Sequence, residues 1–417
     1  MKDMLGREEL ITVEKALYLL FQYVPFKMPA VKKVSIEKAY NLVTSQDIIS
    51  PENLPAFNRS TVDGFAVNAA DTFGATESMP AYLNIVNEIL MGEEPNFALK
   101  RGEVAKISTG GMLPSGADSV VMFEYTQYID EKTLEVLKPV SPGENVIQAG
   151  EDAKKGEVIF KTGHRLRPQD IGALAGIGLK EVEVYEKPIV SIISTGDEIV
   201  PAGMPVKPGQ VRDINTYTLS CLIEESGGIP LRKGIFKDNY ELIYQVLKES
   251  IEESSMVIIS GGSSVGAKDV TEKVINDIGT PGVLFHGVTL KPGKPTIGGI
   301  IDNVPVLGLP GHPGAVIICF NIFVKPLILE LSGTVKEKTF VRNRIIKAKI
   351  NRNISSSPGR EEHIAVKLEE INGELCAVPL LAKSGIITTL TQADGIVIIP
   401  VSKTGIIKDE IVEVRLF

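Results

Sequence analysis

The chain has 417 residues, of which 43% are hydrophobic and 23% charged, and its formal net charge is −8. That length predicts roughly two to four domains, and that apolar content excludes a disordered chain. The acidic balance argues against a nonspecific nucleic-acid binder, which needs a basic surface, but not against a small anion held in a locally positive site.

Cys221, Cys319 and Cys376 are far apart and form no CxxC pair, so neither a disulfide framework nor a zinc knuckle is expected, and a reducing cytoplasm fits. Four histidines without HExxH spacing offer little to a transition metal. The opening MKDMLGREEL lacks an apolar signal core. The most apolar stretch, 304–324, is interrupted by Pro305, Pro310, His312 and Pro313, which predicts a buried strand, turn and helix rather than a membrane span.

Helical patterns cover 13–23 and 36–42. Pro51 and Pro55 then break the chain, and from Ser60 to about Ile147 short β-branched runs alternate with Gly, Pro and Asn, as in a small β-rich domain. A helix near 169–175 and the alternating strand EVEVYE precede Pro188. From Ile189 strands (189–193, 256–260, 283–285, 304–309) alternate with helices (216–225, 239–253, 268–278, 315–331). This rhythm predicts a parallel sheet covered by helices on both faces, with ligands beyond the carboxyl ends of its strands. Residues 335–417 return to alternating strands, a small all-β domain.

Four loops of the α/β segment are rich in Gly, Ser and Thr: Ser194–Glu198, Ser260–Asp269, Lys291–Pro295 and Gly308–Gly314. A glycine-rich turn entering a helix exposes backbone N–H groups where the helix dipole favours an anion. One such loop alone is as readily a plain βα turn; four on one sheet point to a site. Asp197, Glu198 and Asp269 beside these turns suit a divalent cation that bridges phosphates, though each acid would also serve as a cap or an early-helix charge. Lys291 and Lys294 in KPGKP are held by flanking prolines and suit a compact oxyanion, against the plainer reading of a solvated basic turn.

The segments RSTVDGFAV, STGGMLPSGADSVV, GED, STGDEIV, RDINTY, SGGSSVGAKD, KPGKP and GLPGHP, with PGREEH and LAKSG, span nearly the whole chain. In identity and order they resemble the molybdopterin molybdenumtransferases, the MoeA family, and the homologous E domain of gephyrin. The resemblance implies a multidomain α/β plus β fold. It has an elongated discontinuous domain (1–50 and 150–186), an inserted β-rich domain (51–149), a central doubly wound molybdopterin-binding α/β domain (187–333) and a C-terminal β barrel (334–417). It also implies a homodimer whose site is shared between subunits, and a reaction in which molybdate enters the dithiolene of adenylylated molybdopterin with Mg²⁺-dependent release of AMP. Other cofactor-biosynthesis proteins would be transfer partners, and neither nucleic acid nor membrane would be a partner.

Carried over residue by residue, Lys291, Lys294, Arg360 and Ser384 are the implied oxoanion contacts. Glu198 and Asp269 are the implied catalytic acids at the adenylate and Mg²⁺. Asp63, Thr109 and Asp152 are tied to activity across the dimer interface. Thr195, Gly196, Asp197, Ser260, Gly261, Gly262, Gly266, Gly308, Pro310, Gly311 and Pro313 form the implied pterin and adenylate loops. Three features depart from the family pattern: His312 and Ala315 stand where its last loop reads GNPVS, SGGSSVG replaces SGGVSVG, and His363 and Ala365 replace an aromatic and a basic residue. The first keeps a tungstate-inserting relative open. A scaffold like the gephyrin E domain and the preceding adenylylation step are further alternatives. Retention of the charged site residues argues against the scaffold. The three domains beyond the α/β unit argue against the adenylylation step.

Overall fold

The computed structural model describes residues 10–24, 28–261, 265–335, 345–381 and 383–417, with 265–269 described in backbone only. The helix Val13–Tyr23 starts at Thr12, whose hydroxyl accepts the Lys15 N–H at 3.2 Å. Its buried residues Val13, Ala16 and Leu20 recur at helical spacing and join the core formed by Val190, Ile258, Leu307 and Phe323.

Two antiparallel pairings tie the chain before the inserted region to the chain after it: Val31–Ser35 with Glu181–Tyr185, and Ile48–Ile49 with Val158–Phe160. The expected helix over 36–42 is one short 3₁₀ turn, Ile36–Lys38. The helix Pro168–Gly176 packs Leu174 beside Leu42, Ile48 and Val184. Between these segments lies a six-stranded sheet in the order 119–122, 64–67, 103–107, 81–88, 133–136, 126–128. Phe65, Val104 and Leu134 fill one of its faces and Ala66, Ala105 and Val120 the other, the period-two alternation of strands.

The central sheet has the order 229–236, 189–195, 256–261, 304–309, 297–301, 281–286. The first four strands are parallel, but Ile297–Ile301 runs antiparallel to both neighbours, so the sheet is mixed rather than all-parallel as expected. The reason is the two-residue turn Asp302-Asn303, whose φ values of 48° and 76° are those of a tight hairpin. This strand is not among the expected ones, and its Gly298 and Gly299 weaken the strand pattern in the sequence. A Cβ at Gly298 would meet the Phe285 ring at 2.3 Å, so glycine there serves packing.

After Leu309 the chain is helical from Pro313 to Leu331, with a widened π-helical turn at Phe320–Val324. Pro326 follows that turn and removes one N–H donor of the ladder. By length and composition this 19-residue segment could cross a membrane, but Phe320, Phe323, Val324, Leu327 and Ile328 are fully buried in the core.

At the C-terminus the strands Glu361–Ile371, Glu374–Pro379, Ile345–Ile350, Ile411–Leu416 and Gly395–Ile399 pair in that order, and the last pairs back to the first, closing a five-stranded barrel. Leu290–Lys291 adds to its edge, parallel to Glu361–Glu362, and so physically joins the α/β unit to the barrel.

Candidate functional site

Three of the four glycine-rich loops leave the carboxyl ends of the neighbouring strands Ile189–Thr195, Met256–Gly261 and Val304–Leu309, where an open α/β sheet accepts ligands. Ser194, Thr195 and Gly196 are buried while Asp197 and Glu198 are exposed beyond them. Gly261 has φ +126°, and a Cβ there would stand 1.9 Å from the Thr195 carbonyl oxygen. Only glycine allows these two strand ends to approach so closely. Gly262 lies outside the described residues, as does the Asp269 side chain; Gly266 and Asp269 fall in the first turns of the helix Val265–Ile278.

Asn215 links two of these loops: its side-chain amide donates to Ser260 Oγ and to the Gly311 carbonyl, each at 2.9 Å. The neighbouring Asp213 carboxylate accepts the Thr216 N–H at 3.1 Å, which closes the helix start. Gly308, Pro310 and Pro313 are buried beneath the last loop. RDINTY is legible as a motif, but the role of Asn215 is not, because its two partners lie 45 and 96 residues away.

Asp238 is a further residue that the sequence did not single out. Burial first, then the negative charges of Asp197 and Glu198, raise its pKa. The charges of Asp197 and Glu198 are therefore felt at Asp238, at the end of this sheet. The signal was hidden because Asp238 follows the strand Ile229–Phe236, whose Arg232 and Lys233 obscured the strand pattern.

The third loop turns toward the barrel. Lys291, Pro292 and Gly314 from the α/β unit and Glu362, His363, Lys383 and Ser384 from the barrel line one cleft of about 270 Å³, with Ile318, Ile364 and Leu390 on its apolar wall. Lys291 Nζ lies 2.8 Å from Glu362 Oε1. Ser384 is held twice: its carbonyl accepts the Gly314 N–H at 2.9 Å, and its hydroxyl bonds His312 Nδ1 at 3.0 Å. Ala315 is buried in the first turn of the helix that follows. His363 bonds Glu361 at 2.6 Å, which holds the Glu361 carboxyl below its ordinary pKa despite burial.

The implied oxoanion contacts therefore divide. Lys291 and Ser384 share the cleft, whereas Lys294, exposed, and Arg360, half-buried, are not among the cleft-lining residues described. In the inserted sheet the exposed Asp63 carboxylate accepts both the backbone N–H of Thr109 at 2.7 Å and its hydroxyl at 3.1 Å. Asp152 is exposed, and its N–H donates to the Leu54 carbonyl. Among the described residues no hydrogen bond or ion pair joins Asp63, Thr109 or Asp152 to the α/β loops.

Three family models match the chain: the MoeA N-terminal region (domain I and II) over residues 11–178, a probable molybdopterin binding domain over 191–330, and the MoeA C-terminal region (domain IV) over 347–417. A putative molybdopterin biosynthesis protein of Methanocaldococcus jannaschii is 34% identical over 395 residues, 93% of this chain and 92% of that protein. A molybdopterin molybdenumtransferase of Staphylococcus aureus is 32% identical over 382 residues, 91% of this chain and 89% of its own length. A crystal structure of the molybdopterin biosynthesis moeA protein of Pyrococcus horikoshii OT3 superposes with TM-score 0.83 at 32% identity, covering 98% of this chain and 100% of that one. With the barrel, the mixed α/β sheet and the glycine-rich strand ends in place, the chain belongs to the MoeA family, several of whose curated members are named molybdopterin molybdenumtransferases.

Proposed function

We propose that this protein is a molybdopterin molybdenumtransferase that takes adenylylated molybdopterin and molybdate, cleaves the phosphoanhydride with water to release AMP, and leaves molybdenum on the dithiolene sulfurs. The observation that carries this reading is the cleft at the seam of the α/β unit and the barrel. Lys291 and Ser384 both line it, together with Gly314 at the end of the last glycine-rich loop. A tetrahedral oxodianion needs a cation and hydroxyl or amide donors, and these groups supply them. Lys294 and Arg360 complete the proposed oxoanion set.

Thr195, Gly196, Ser260, Gly261, Gly308 and Gly311, with Gly262 and Gly266, form the proposed cradle for the pterin phosphate and adenylate. Among the described residues no three His, Cys, Asp or Glu side chains form a ready-made metal site. Mg²⁺ that arrives with phosphate oxygens and water requires only one or two carboxylates. Glu198, beside Asp197 and the electrostatically stressed Asp238, fits that requirement, with Asp269 as the second proposed ligand. Mg²⁺ bound there would neutralise charge on the phosphoanhydride. Asp63, Thr109 and Asp152 would reach the site from a second subunit of a cytoplasmic homodimer.

The test is to supply the purified protein with adenylylated molybdopterin, molybdate and Mg²⁺, then measure AMP and the activation of a molybdenum-free apoenzyme. Release of AMP together with active cofactor is expected. Absence of both defeats the proposal. A tungstate-inserting relative is the second reading, favoured by His312 bonded to Ser384 and by the buried Ala315. Competition between the two oxoanions decides it, since equal affinity removes any claim to selectivity.

A further inference from the structure

The Lys291 ammonium is not presented to the cleft as a bare charge. Leu290–Lys291 runs parallel to Glu361–Glu362, with Lys291 opposite Glu362, so the backbone register itself sets the two side chains side by side. The Glu361 N–H donates to the Thr289 carbonyl at 2.8 Å and reinforces that register. Lys291 Nζ then meets Glu362 Oε1 at 2.8 Å, while Glu362 Oε2 accepts the Ser356 hydroxyl at 2.6 Å. The glutamate side chain is only 12% exposed and the lysine 47%. The carboxylate is therefore clamped from two sides and lines the cleft, while the lysine head faces it from the more open side.

A tetrahedral oxodianion that settles on Lys291 must then share that ammonium with a fixed carboxylate a few ångströms away. Like charges so close, in a partly desolvated cleft, oppose each other strongly. Building on the oxoanion reading above, we propose that Glu362 is an internal competitor for Lys291: an affinity-setting residue that keeps oxoanion binding weak and exchangeable. Weak binding at this point lets molybdate leave the lysine for the dithiolene and limits occupancy by sulfate and other tetrahedral dianions.

The experiment is equilibrium dialysis of the full-length protein against molybdate, with sulfate as competitor and bound molybdenum measured by mass spectrometry. Glu362→Gln keeps the shape and can still accept from Ser356, but removes the charge. It is expected to bind molybdate at least about tenfold tighter and to be more easily blocked by sulfate. Glu362→Asp, too short to hold Lys291 and Ser356 together, is expected to give a smaller gain and provides the same readout should the glutamine variant not fold. Unchanged or weaker binding in the folded variant overturns the inference, because Glu362 would then orient the lysine rather than compete for its ligand. Lys291→Ala separates the two levels. If molybdate affinity is unchanged in that variant, the oxoanion does not sit on Lys291, and the oxoanion reading falls together with this inference. If K291A weakens binding and E362Q brings no gain, the pocket stands and the competition alone is refuted.

Discussion

A single carboxylate shows how much one residue can organise. Asp170 is 3% exposed and accepts His164 Nε2 at 2.7 Å and, from Arg167, the backbone N–H at 2.8 Å, Nε at 2.9 Å and Nη2 at 2.9 Å. Burial alone would raise its pKa, yet the bonds from Arg167 and His164 outweigh burial and hold it at about 2. The folded value lies below the ordinary 3.8, so the stabilisation is present above pH 4 and is lost as pH falls toward 2. Asp170→Asn should remove that acid-side dependence and cost about 3 kcal/mol, because it leaves the donors poorly matched in a buried place; denaturation melts at pH 3 and pH 7 check both. In the cleft, Lys291→Ala should weaken molybdate binding by about tenfold or more with little change in melting temperature, since the lysine is half-exposed and its loss removes a charge-assisted contact.

At the scale of elements, the loop geometry depends on backbone approaches that allow no side chain. Gly261→Ala would press a Cβ into the Thr195 carbonyl at 1.9 Å with φ at +126°. It should cost on the order of 3 kcal/mol and lower the melting temperature, and it should impair AMP release beyond any loss of folded protein. The helix Val13–Tyr23 is anchored by Leu20, fully buried against the central sheet's core. Leu20→Ala should destabilise by about 2–5 kcal/mol in chemical denaturation, the range for a large buried aliphatic cut to methyl. Element existence was largely legible: Val13–Tyr23, Pro168–Gly176 and Val304–Leu309 follow from periodicity and from Pro and Gly punctuation. Ile229–Phe236 and Ile297–Ile301 were not. The first is an edge strand that carries charges, and the second contains two glycines whose purpose appears only against Phe285.

For the whole molecule, the cleft exists because a two-residue strand of the α/β unit completes the edge of a barrel that begins some fifty residues later. A further stitch across this seam is the His312–Ser384 bond, between residues 72 apart. His312→Ala should change global stability by less than about 1 kcal/mol, the net worth of one exposed hydrogen bond. It should nonetheless weaken molybdate binding several-fold by freeing the Ser384 hydroxyl, and His312→Asn should restore part of it; dialysis beside thermal melts separates the two effects.

The sequence by itself determined the family, the order of its parts and the residue types of the glycine-rich loops, because these are local patterns or ordered motifs that survive without coordinates. Only the tertiary structure decided which of those residues meet. It put Lys291 against Glu362 and Ser384 beside His312, brought Asp238 to Asp197 and Glu198, and left Lys294 and Arg360 outside the cleft's described lining. The physical reason is that charge pairing and hydrogen bonding act over a few ångströms in space. Strand register and domain docking, which set those distances, are fixed by contacts between segments far apart in the chain.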